Sequence, residues 1–262
     1  MLLKNFSMRN NKPFIKTASL YDAIYAKKQY GQEARVINKL IRLYNVKGKR
    51  LIDLGCGTGK HCVEFARLGY MPTGIDCSLP MLTIAKQNID ASGRFVNLIH
   101  TKIDSYKPRK KFDVATSLFH VLSYQTTNDS VEKYFRAASR CIKPGGLFIF
   151  DCWYGPGVFF LAPKNSKRAL RFNNSRFTRN KKSMWDTEQN LVHVHHTIHA
   201  HGKKIPPTHE LHSMRYFFLP ELTLFLSMTG FRLLEWGTLG TPLKPIGKIP
   251  SWDIWLIAQK NL

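Results

Sequence analysis

The segment LIDLGCGTGK at residues 51–60 decides the fold of this chain. Its first four residues predict a buried strand, and Gly55, Gly57 and Gly59 predict a tight turn into a helix. Glycine allows the backbone to pass close to a ligand and to present its N–H groups at the start of a helix. The segment therefore predicts a ligand-binding loop, although a tight strand-to-helix turn favours glycine even without a ligand.

Short apolar runs alternate with helical patterns around this segment. A helical periodicity over residues 21–44 predicts a leading helix. Further strands are predicted at 71–76, 94–99, 112–119 and 146–151. Crossover helices are predicted at 59–68, 79–88 and 130–141, and Lys143-Pro-Gly-Gly146 predicts a turn before the fifth strand. Five strands with right-handed crossovers predict an open, doubly wound, mostly parallel sheet.

The chain changes in character after Pro156. Residues 160–183 are rich in Lys and Arg and contain no acid, and residues 190–217 alternate with a period of two, as in an antiparallel meander. A helix at 220–229 and closing strands at 231–237 and 251–259 follow. The chain is therefore predicted to be a seven-stranded Rossmann-like α/β domain at 16–159 and 218–262, with a basic tail at 1–15 and an antiparallel β lid inserted at 160–217.

Composition limits the functional classes. The 262 residues suit one domain with an elaboration, and the formal net charge of +23 attracts phosphates, nucleic acid and acidic membranes without a specific site. The sequence has no apolar run long enough for a signal peptide or a membrane span. An odd number of cysteines suits reduced thiols, so we expect a soluble cytoplasmic protein; the cysteines are Cys56, Cys62, Cys77, Cys141 and Cys152.

An acid ends the second predicted strand, about twenty residues after the glycine loop. This residue, Asp76 in GIDCS, can accept hydrogen bonds from both hydroxyls of a ribose. A dinucleotide site would use the same acid, but its loop has the spacing Gly-x-Gly-x-x-Gly, which suits a pyrophosphate. The Gly-x-Gly-x-Gly spacing found here therefore favours a nucleoside ligand without a pyrophosphate.

Four strings in this order and spacing, LIDLGCGTG, GIDCSLPML, FDVATSLFHVLSY and IKPGGLFIFD, resemble motifs of the class I S-adenosylmethionine-dependent methyltransferases over residues 20–155. The segments at 21–30, 151–159 and 209–226 resemble the branch that contains glycine N-methyltransferases and bacterial deoxyaminosugar N-methyltransferases. The resemblance implies S-adenosyl-L-methionine as cofactor and S-adenosyl-L-homocysteine as product. It implies transfer to a nitrogen or oxygen of a small molecule, with an aminosugar or nucleotide-linked sugar as the first expectation.

The resemblance also implies which residues hold the cofactor. Gly55, Gly57 and Gly59 would surround its methionine part, and Asp76 would bind the ribose. The implied cofactor-binding set is completed by Tyr25, Asp53, Cys56, Cys77, Ser78, Met81, Asp104 and Leu118. The family often has Gly-Asp after the third strand, where the Asp binds adenine, whereas Thr101-Lys102 stands here. Asp104 or Ser105 could replace that acid, in a different register.

Methyl transfer needs alignment of the acceptor, and needs a base when the acceptor arrives protonated. His120 and Tyr124 follow the fourth strand, where acceptors dock in the resembled fold, and Tyr21 resembles an aromatic position that closes over cofactor and acceptor in related enzymes. His212 lies in THELHSMRY at 208–216, a stretch that the related sugar enzymes resemble. These four are the predicted catalytic residues. A hydrogen-bonded histidine, a half-buried tyrosine and a salt-bridged lid strand are the structural alternatives.

The sequence leaves the function of two further clusters of residues open. The histidines His193, His195, His199 and His201 fall on one face of a predicted strand and His196 on the other, and a solvated polar face is favoured over a metal site because no carboxylate or thiolate accompanies them. The basic run at 164–182, with interleaved aromatics, suits a diphosphate, a nucleic-acid strand or solvent. A nucleic-acid methyltransferase and a non-catalytic binding module therefore remain alternatives, and the oligomeric state is open.

Overall fold

The computed structural model describes residues 13–14, 17–202, 206–247 and 251–262. The predicted basic tail at 1–15 lies outside them except for Pro13 and Phe14. The helices are α1 Ala18–Ile24, α2 Tyr30–Leu43, α3 Lys60–Arg67, α4 Leu79–Ser92, α5 Asn128–Cys141, α6 Gly155–Phe160 and α7 Leu219–Met228, with a 3-10 helix at Val121–Tyr124. The strands are β1 Arg50–Leu54, β2 Met71–Asp76, β3 Asn97–His100, β4 Phe112–Ser117, β5 Ile142–Tyr154, β6 Ser166–Phe172, β7 Ser175–Asp186, β8 Leu191–Ala200, β9 Thr208–Phe217, β10 Phe231–Gly237 and β11 Asp253–Lys260.

Seven of these strands form the main sheet, in the order β3-β2-β1-β4-β5-β11-β10. Strands β1 to β5 pair in parallel, and β11 runs antiparallel to both β5 and β10. All six residues of β4 are buried, as expected where helices cover both faces of a parallel sheet. The predicted doubly wound sheet is confirmed.

Two hydrophobic clusters hold the helices to the sheet. One contains Phe135 of α5 with Phe148 and Phe150 of β5, and the other contains Ile37 of α2 with Phe65 of α3. Each of these side chains is fully removed from solvent, and burial of one large apolar side chain stabilises a fold by about 1.5–3 kcal/mol. The sheet edge is therefore a rigid support for the loops that follow its strands.

Strands β6 to β9 form an antiparallel meander, which we call the lid. The predicted antiparallel insertion is thus confirmed. The lid is also continuous with the main sheet, because the end of β5 pairs in parallel with the end of β9, with Trp153 opposite Tyr216 and Tyr154 opposite Phe217. This pairing fixes the lid over the carboxyl ends of the central strands.

The predicted leading helix at 21–44 is wrong as a single element. It is divided into α1 and α2, because α1 packs against α4 and β6 whereas α2 packs against α3. The predicted turn at 143–146 lies within β5, where Gly145 has a φ of 75° and the register with β4 shifts, so the extra residues form a bulge. Helix α4 extends past Asn88 and ends at Gly93, whose φ is 62°.

Two of the predicted strands are shorter than expected. The third begins at Asn97, and the fourth ends at Ser117 because Phe119 and His120 adopt left-handed φ values of 68° and 65°. Within the described parts of the chain, no helix is both long and apolar enough to cross a membrane.

Candidate active site

The glycine loop joins β1 to α3 across the end of β2. Gly55, Gly57 and Gly59 have φ values of 80°, 54° and 72°, which disfavour any side chain. The N–H groups of Gly55 and Cys56 donate to the carbonyl of Ile75, at 2.8 and 3.0 Å. A Cβ at Gly55 would lie 2.7 Å from a methyl carbon of Val121, so both the conformation and the space at this position require glycine.

Asp76 points into this loop. Its Oδ2 accepts from the N–H of Gly57 at 2.8 Å, and its Oδ1 accepts from the N–H of Ser78 at 2.8 Å. Burial raises the pKa of Asp76, although these backbone N–H groups favour the carboxylate. Each oxygen keeps a second lone pair, so the carboxylate can accept hydroxyl groups of a ligand that rests on the loop.

A small cavity of about 30 Å³ lies against the glycine loop. Its wall includes the charged residues Asp53 and Lys60, together with Cys56 and Leu118. Burial raises the pKa of Asp53, which accepts a hydrogen bond of 2.8 Å from Thr116 Oγ1. The amino-acid end of a zwitterionic ligand carries one positive and one negative group, and Asp53 and Lys60 provide one partner of each opposite charge.

Helix α1 is fixed above the loop through one carboxylate, that of Asp22. Asp22 accepts hydrogen bonds from Thr58 Oγ1 at 2.8 Å and from the amide of Asn88 at 3.0 Å, and Lys60 Nζ lies 3.4 Å away. Because these partners belong to the loop, α3 and α4, α1 is positioned relative to all three. The ring of Tyr21 on α1 consequently lines the small cavity.

A second cavity, of about 350 Å³, lies between the carboxyl edge of the sheet and the lid. It shares Tyr21 and Phe119 with the small cavity, so these two rings lie at the boundary between the two cavities. The rest of its aromatic wall is formed by Phe14, Tyr25, Tyr124, Trp153 and Trp252, and its basic side chains are Arg168, Arg179 and Lys181. The cavity therefore combines flat apolar walls with a positive side formed by β6 and β7.

His120 projects into the large cavity from a left-handed backbone position, a type of conformation that clusters at functional sites. Its Nδ1 lies 2.9 Å from Oδ2 of Asp151 in an ion pair. Burial acts to lower the pKa of His120, but the nearby Asp151 carboxylate outweighs it, so the pKa lies above its ordinary value. The same contact holds the pKa of Asp151 below its ordinary value despite burial.

Tyr124 and His212 meet in the wall of the same cavity. The hydroxyl of Tyr124 lies 2.8 Å from Nδ1 of His212, and Nε2 of His212 lies 3.3 Å from Oε2 of Glu210. Burial raises the pKa of Tyr124 well above its ordinary value, so this phenol stays protonated near neutrality. Tyr124, His212 and Glu210 form a continuous path for a proton that starts at the cavity, and we call them the relay.

The lid contributes a residue that the sequence analysis did not single out. His196 lies on the cavity face of β8 with Val192 and Val194, and its Nε2 lies 3.0 Å from Nη2 of Arg179. Burial, followed by the charge of Arg179, lowers the pKa of His196 to about 2, so the ring is neutral. The period-two pattern already grouped His196 with those apolar residues, and that grouping could have identified it.

The structure brings together most of the predicted site residues. Met81 lies against Gly57, with its Cε 3.3 Å from the position a Cβ would take there, and the hydroxyl of Ser78 caps α4 by accepting from the N–H of Met81 at 3.4 Å. Tyr25 lines the large cavity and not the small one. Cys77 is exposed in the same loop as Ser78.

Asp104 stands apart from this group. It lines neither cavity, it is exposed, and its carbonyl oxygen accepts a hydrogen bond of 2.7 Å from Arg140. Two residues at the end of β3 approach the Asp76 loop: His100, whose Nε2 lies 3.1 Å from the carbonyl oxygen of Cys77, and Thr101, whose N–H donates to the carbonyl of Asp76 at 3.0 Å.

Three other histidines of the lid, on or next to β8 and on β9, do not line the large cavity. His193 lies 2.8 Å from the hydroxyl of Ser213, and Thr197 pairs with His209 at 3.2 Å. His201 follows the end of β8 and contacts the hydroxyl of Thr178 at 2.6 Å. These rings are therefore engaged by hydroxyl groups of the neighbouring strands.

Comparison with known proteins adds to this geometry. Residues 51–146 match the family model described as a methyltransferase domain. The chain is 26% identical over 231 residues to dTDP-3-amino-3,4,6-trideoxy-alpha-D-glucopyranose N,N-dimethyltransferase of Streptomyces venezuelae, which covers 86% of this chain and 95% of that protein. It is 27% identical to the putative methyltransferase YqeM of Bacillus subtilis, with 93% and 96% covered.

Two solved structures share the fold. An S-adenosylmethionine-dependent methyltransferase from Clostridium acetobutylicum matches with a TM-score of 0.78 at 21% identity, covering 94% of this chain and 98% of that one. CalS10, an amino pentose methyltransferase from Micromonospora echinaspora, matches with a TM-score of 0.74 at 19% identity, covering 92% and 97%. Because these matches cover nearly the whole chain, the likeness extends to the lid as well as to the parallel sheet.

Proposed function

We propose that this chain, whose residues 51–146 form a methyltransferase domain of the class I S-adenosylmethionine-dependent type, methylates a nitrogen or oxygen atom of a small molecule. The observation that carries the proposal is that the glycine-loop cavity and the large cavity share Tyr21 and Phe119. A methyl donor on the loop and an acceptor under the lid can therefore approach each other between these rings.

The residues around the loop fit S-adenosylmethionine chemically. Asp76 offers carboxylate oxygens to the ribose, and Asp53 and Lys60 match the charges of the amino-acid end. When bound, the cofactor supplies an activated methyl group on a sulfonium. The protein's own task is to align the acceptor and to exclude water, which the aromatic walls of the large cavity are suited to do.

We assign the removal of a proton from the acceptor to the relay. In its resting form Tyr124 donates its hydroxyl proton to Nδ1 of His212, and Nε2 of His212 donates to Glu210. An acceptor proton can then move to the Tyr124 oxygen while the tyrosine's own proton moves to Nδ1. This transfer produces an imidazolium beside Glu210 and never a tyrosinate, which agrees with the raised pKa of Tyr124.

His120 has a separate role in this proposal. The ion pair with Asp151 orients its ring, and the raised pKa favours the charged form, which donates hydrogen bonds only. A donor in the cavity wall is suited to an oxygen of the acceptor. His120 therefore holds the acceptor while the relay receives its proton.

The acceptor that the cavity suits best carries phosphate. Arg168, Arg179 and Lys181 line one side of the cavity, and burial, followed by the charges of the two arginines, lowers the pKa of Lys181. Such a cluster is stabilised by an anion, and guanidinium groups bind phosphate oxygens in pairs. Three relatives of this chain are named as N,N-dimethyltransferases of dTDP-linked aminosugars, which combine a diphosphate with an amine. A nucleotide-linked aminosugar is thus the proposed acceptor, and the lid is proposed to close over it.

Two measurements test the proposal. Isothermal titration calorimetry with S-adenosylmethionine should give a saturable heat, and radiolabelled methyl groups should be transferred to a dTDP-linked aminosugar. Transfer to RNA in its place, with binding that falls steeply with salt, would support a nucleic-acid methyltransferase. No heat at millimolar cofactor would leave a non-catalytic binding module and would overturn the proposal.

A further inference from the structure

We infer that His196 is a positioning residue that holds Arg179 in the wall of the large cavity without neutralising its charge. The basic wall thereby keeps its full positive charge for an anionic group of the acceptor, such as a diphosphate. This role rests on the proposed function, because the anion that it serves belongs to an acceptor bound under the lid. The two residues lie on neighbouring strands of the lid, β8 and β7.

The register of the lid strands brings three cations together. Arg168 of β6 lies directly opposite Arg179 of β7, and Lys181 follows two residues later on the same cavity face. Side chains directly opposite each other in an antiparallel pair have Cβ atoms about 4.5–5.5 Å apart, and like charges at that spacing repel. Among the residues that the structure describes, no salt bridge includes any of these three cations. The lid therefore concentrates positive charge at this wall.

His196 contacts the central cation of this group. Its Nε2 lies 3.0 Å from Nη2 of Arg179, and guanidinium nitrogens only donate, so Nε2 is the acceptor. The guanidinium carbon of Arg179 also lies 5.9 Å from the centre of the Tyr25 ring, within the range of a cation–π interaction. An imidazole and a phenol ring therefore orient Arg179, where a carboxylate would orient it and cancel its charge.

The surroundings of His196 keep its ring neutral. Burial is the largest cause of its lowered pKa, and the charge of Arg179 is the second. Lys181, which lies directly opposite His196 across the β7–β8 pair, acts in the same direction. A protonated ring has no lone pair with which to accept from Arg179. The cations of the wall thus favour the form of His196 that positions one of them.

Two polar atoms beside these cations have no hydrogen-bond partner. A neutral ring that accepts at Nε2 carries its proton on Nδ1, and Nδ1 of His196 is buried without a partner. Ser183 lines the same cavity from β7, and its hydroxyl oxygen is also buried without a partner. Buried polar groups are nearly always paired, so unpaired ones call for an explanation. Together with the three cations they point to a ligand that carries several oxygen atoms, as a diphosphate does.

Neutral positioning of Arg179 determines which acceptors bind. A carboxylate at residue 196 would remove one positive charge from the wall, and an acceptor without an anionic group would then lose little. With histidine at this position, the charge of the wall can be balanced only by the acceptor. Acceptors that carry a diphosphate should therefore bind much more tightly than the free aminosugar.

The test replaces His196 by glutamine and by glutamate, which are nearly equal in size. Glutamine offers Arg179 an uncharged oxygen acceptor, whereas glutamate offers a charged one. Calorimetry with dTDP, in about 0.15 M salt, should give an affinity of His196→Gln within about threefold of wild type and of His196→Glu at least about tenfold weaker. His199→Glu is the matched control, because it adds the same charge at an exposed position of β8 outside both cavities. Its affinity for dTDP should match wild type.

Kinetics separate positioning from a merely structural role. His196→Glu should raise the KM for the dTDP-linked aminosugar about tenfold or more and leave the affinity for S-adenosylmethionine within about twofold. A third variant, His196→Leu, removes the acceptor without adding charge, and it should bind dTDP about fivefold more weakly than His196→Gln. This comparison remains decisive if glutamate disturbs the fold.

Three results would overturn the role of His196. They are a wild-type protein that does not bind dTDP, equal dTDP affinities of His196→Gln and His196→Leu, and a folded His196→Glu that binds dTDP as His196→Gln does. Binding of dTDP by a wild-type protein that gives no heat with S-adenosylmethionine would instead count against the proposed function and leave the anion site in place.

Discussion

The glycine-loop cavity and the large cavity are neighbours, but their polar groups have different origins. The loop side is formed by one continuous strand, turn and helix, with Asp76 from the adjacent strand, and backbone N–H groups of Gly57 and Ser78 fix that carboxylate. The large cavity takes its polar groups from side chains far apart in the sequence. Tyr124 and His212, for example, are separated by 88 residues.

This difference predicts how the two regions respond to substitution. Substitutions other than to proline leave the backbone N–H groups in place, so the loop is sensitive mainly at the single carboxylate that they orient and at its glycines. The function of the large cavity depends on several side chains. The loss of one side chain should therefore change one kinetic constant and leave the others unchanged. Substitutions in the loop region should therefore either abolish cofactor binding or leave it unchanged, whereas substitutions in the large cavity should reduce activity by intermediate amounts.

The largest effect is expected for Asp76→Ala. Removing the carboxylate takes away the proposed acceptor for both ribose hydroxyls, and hydrogen bonds to a charged group are strong, so affinity for S-adenosylmethionine should fall about 100-fold. Calorimetry measures the change. Asp104→Ala is the matched control, because this acid was predicted to bind the cofactor yet lines neither cavity. Equal losses of affinity in both variants would mean that the two acids do not differ in their contribution to cofactor binding.

Tyr124→Phe should have the next largest effect, and it should appear in kcat. The substitution keeps the ring but removes the oxygen to which we propose that the acceptor proton moves, and general base catalysis typically contributes about 100-fold or more. Affinity for S-adenosylmethionine should stay within about twofold of wild type. Tyr44→Phe is the control, since the Tyr44 hydroxyl also makes a side-chain hydrogen bond, to Glu235 at 2.8 Å, but lies outside both cavities. A Tyr124→Phe enzyme with normal kcat would remove the relay from the mechanism.

The predictability of the two regions from sequence differs for the same reason. Strand, glycine loop and terminal acid follow each other at short, fixed spacings, so the sheet, the loop and the place of Asp76 were predicted. The resemblance to class I methyltransferases is likewise confirmed, as residues 51–146 match the methyltransferase domain. Local patterns decide these features because each pattern coincides with one structural element.

The large cavity depends on tertiary pairing that no local pattern contains. Tyr124 and His212 were each predicted, but their contact requires β9 to pair with β8 and with the end of β5. His196 was assigned only to the opposite strand face. The division between α1 and α2 was missed because packing on different neighbours overrides a helical periodicity.

A smaller, graded effect is expected for Lys181→Met. The side chain lines the basic wall of the cavity, so its loss should raise the KM for a phosphate-bearing acceptor about fivefold, with less effect at high salt. Lys182→Met is the control. The alternation of a strand directs the neighbouring Lys182 away from the cavity, so its KM should match wild type. Equal KM values for the two variants would indicate that charge acts over the whole surface and not in the cavity.

The smallest effect is expected on the free energy of unfolding, to which the His120–Asp151 pair contributes. The folded-state pKa of His120 is raised, so its contribution is fully present below the unfolded value near 6.5 and is lost as pH rises through the folded value. The pKa of Asp151 is lowered in the folded state, so the stability that this carboxylate contributes is lost as the pH falls through that lowered pKa. His120→Asn should therefore reduce the free energy of unfolding by about 1 kcal/mol at about pH 5.5 and by less at about pH 8.5.

Asparagine is the suitable replacement because it tolerates the left-handed conformation of His120, whose φ is 65°. Urea unfolding of wild type and variant at both pH values measures the difference. His199→Asn, at an exposed position on β8, should show no such pH dependence. A His120→Asn penalty that grows with pH would mean that the neutral ring is the stabilising form. The geometry of the pair would then be determined by packing and not by charge. His120 would in that case not act as the charged donor to the acceptor.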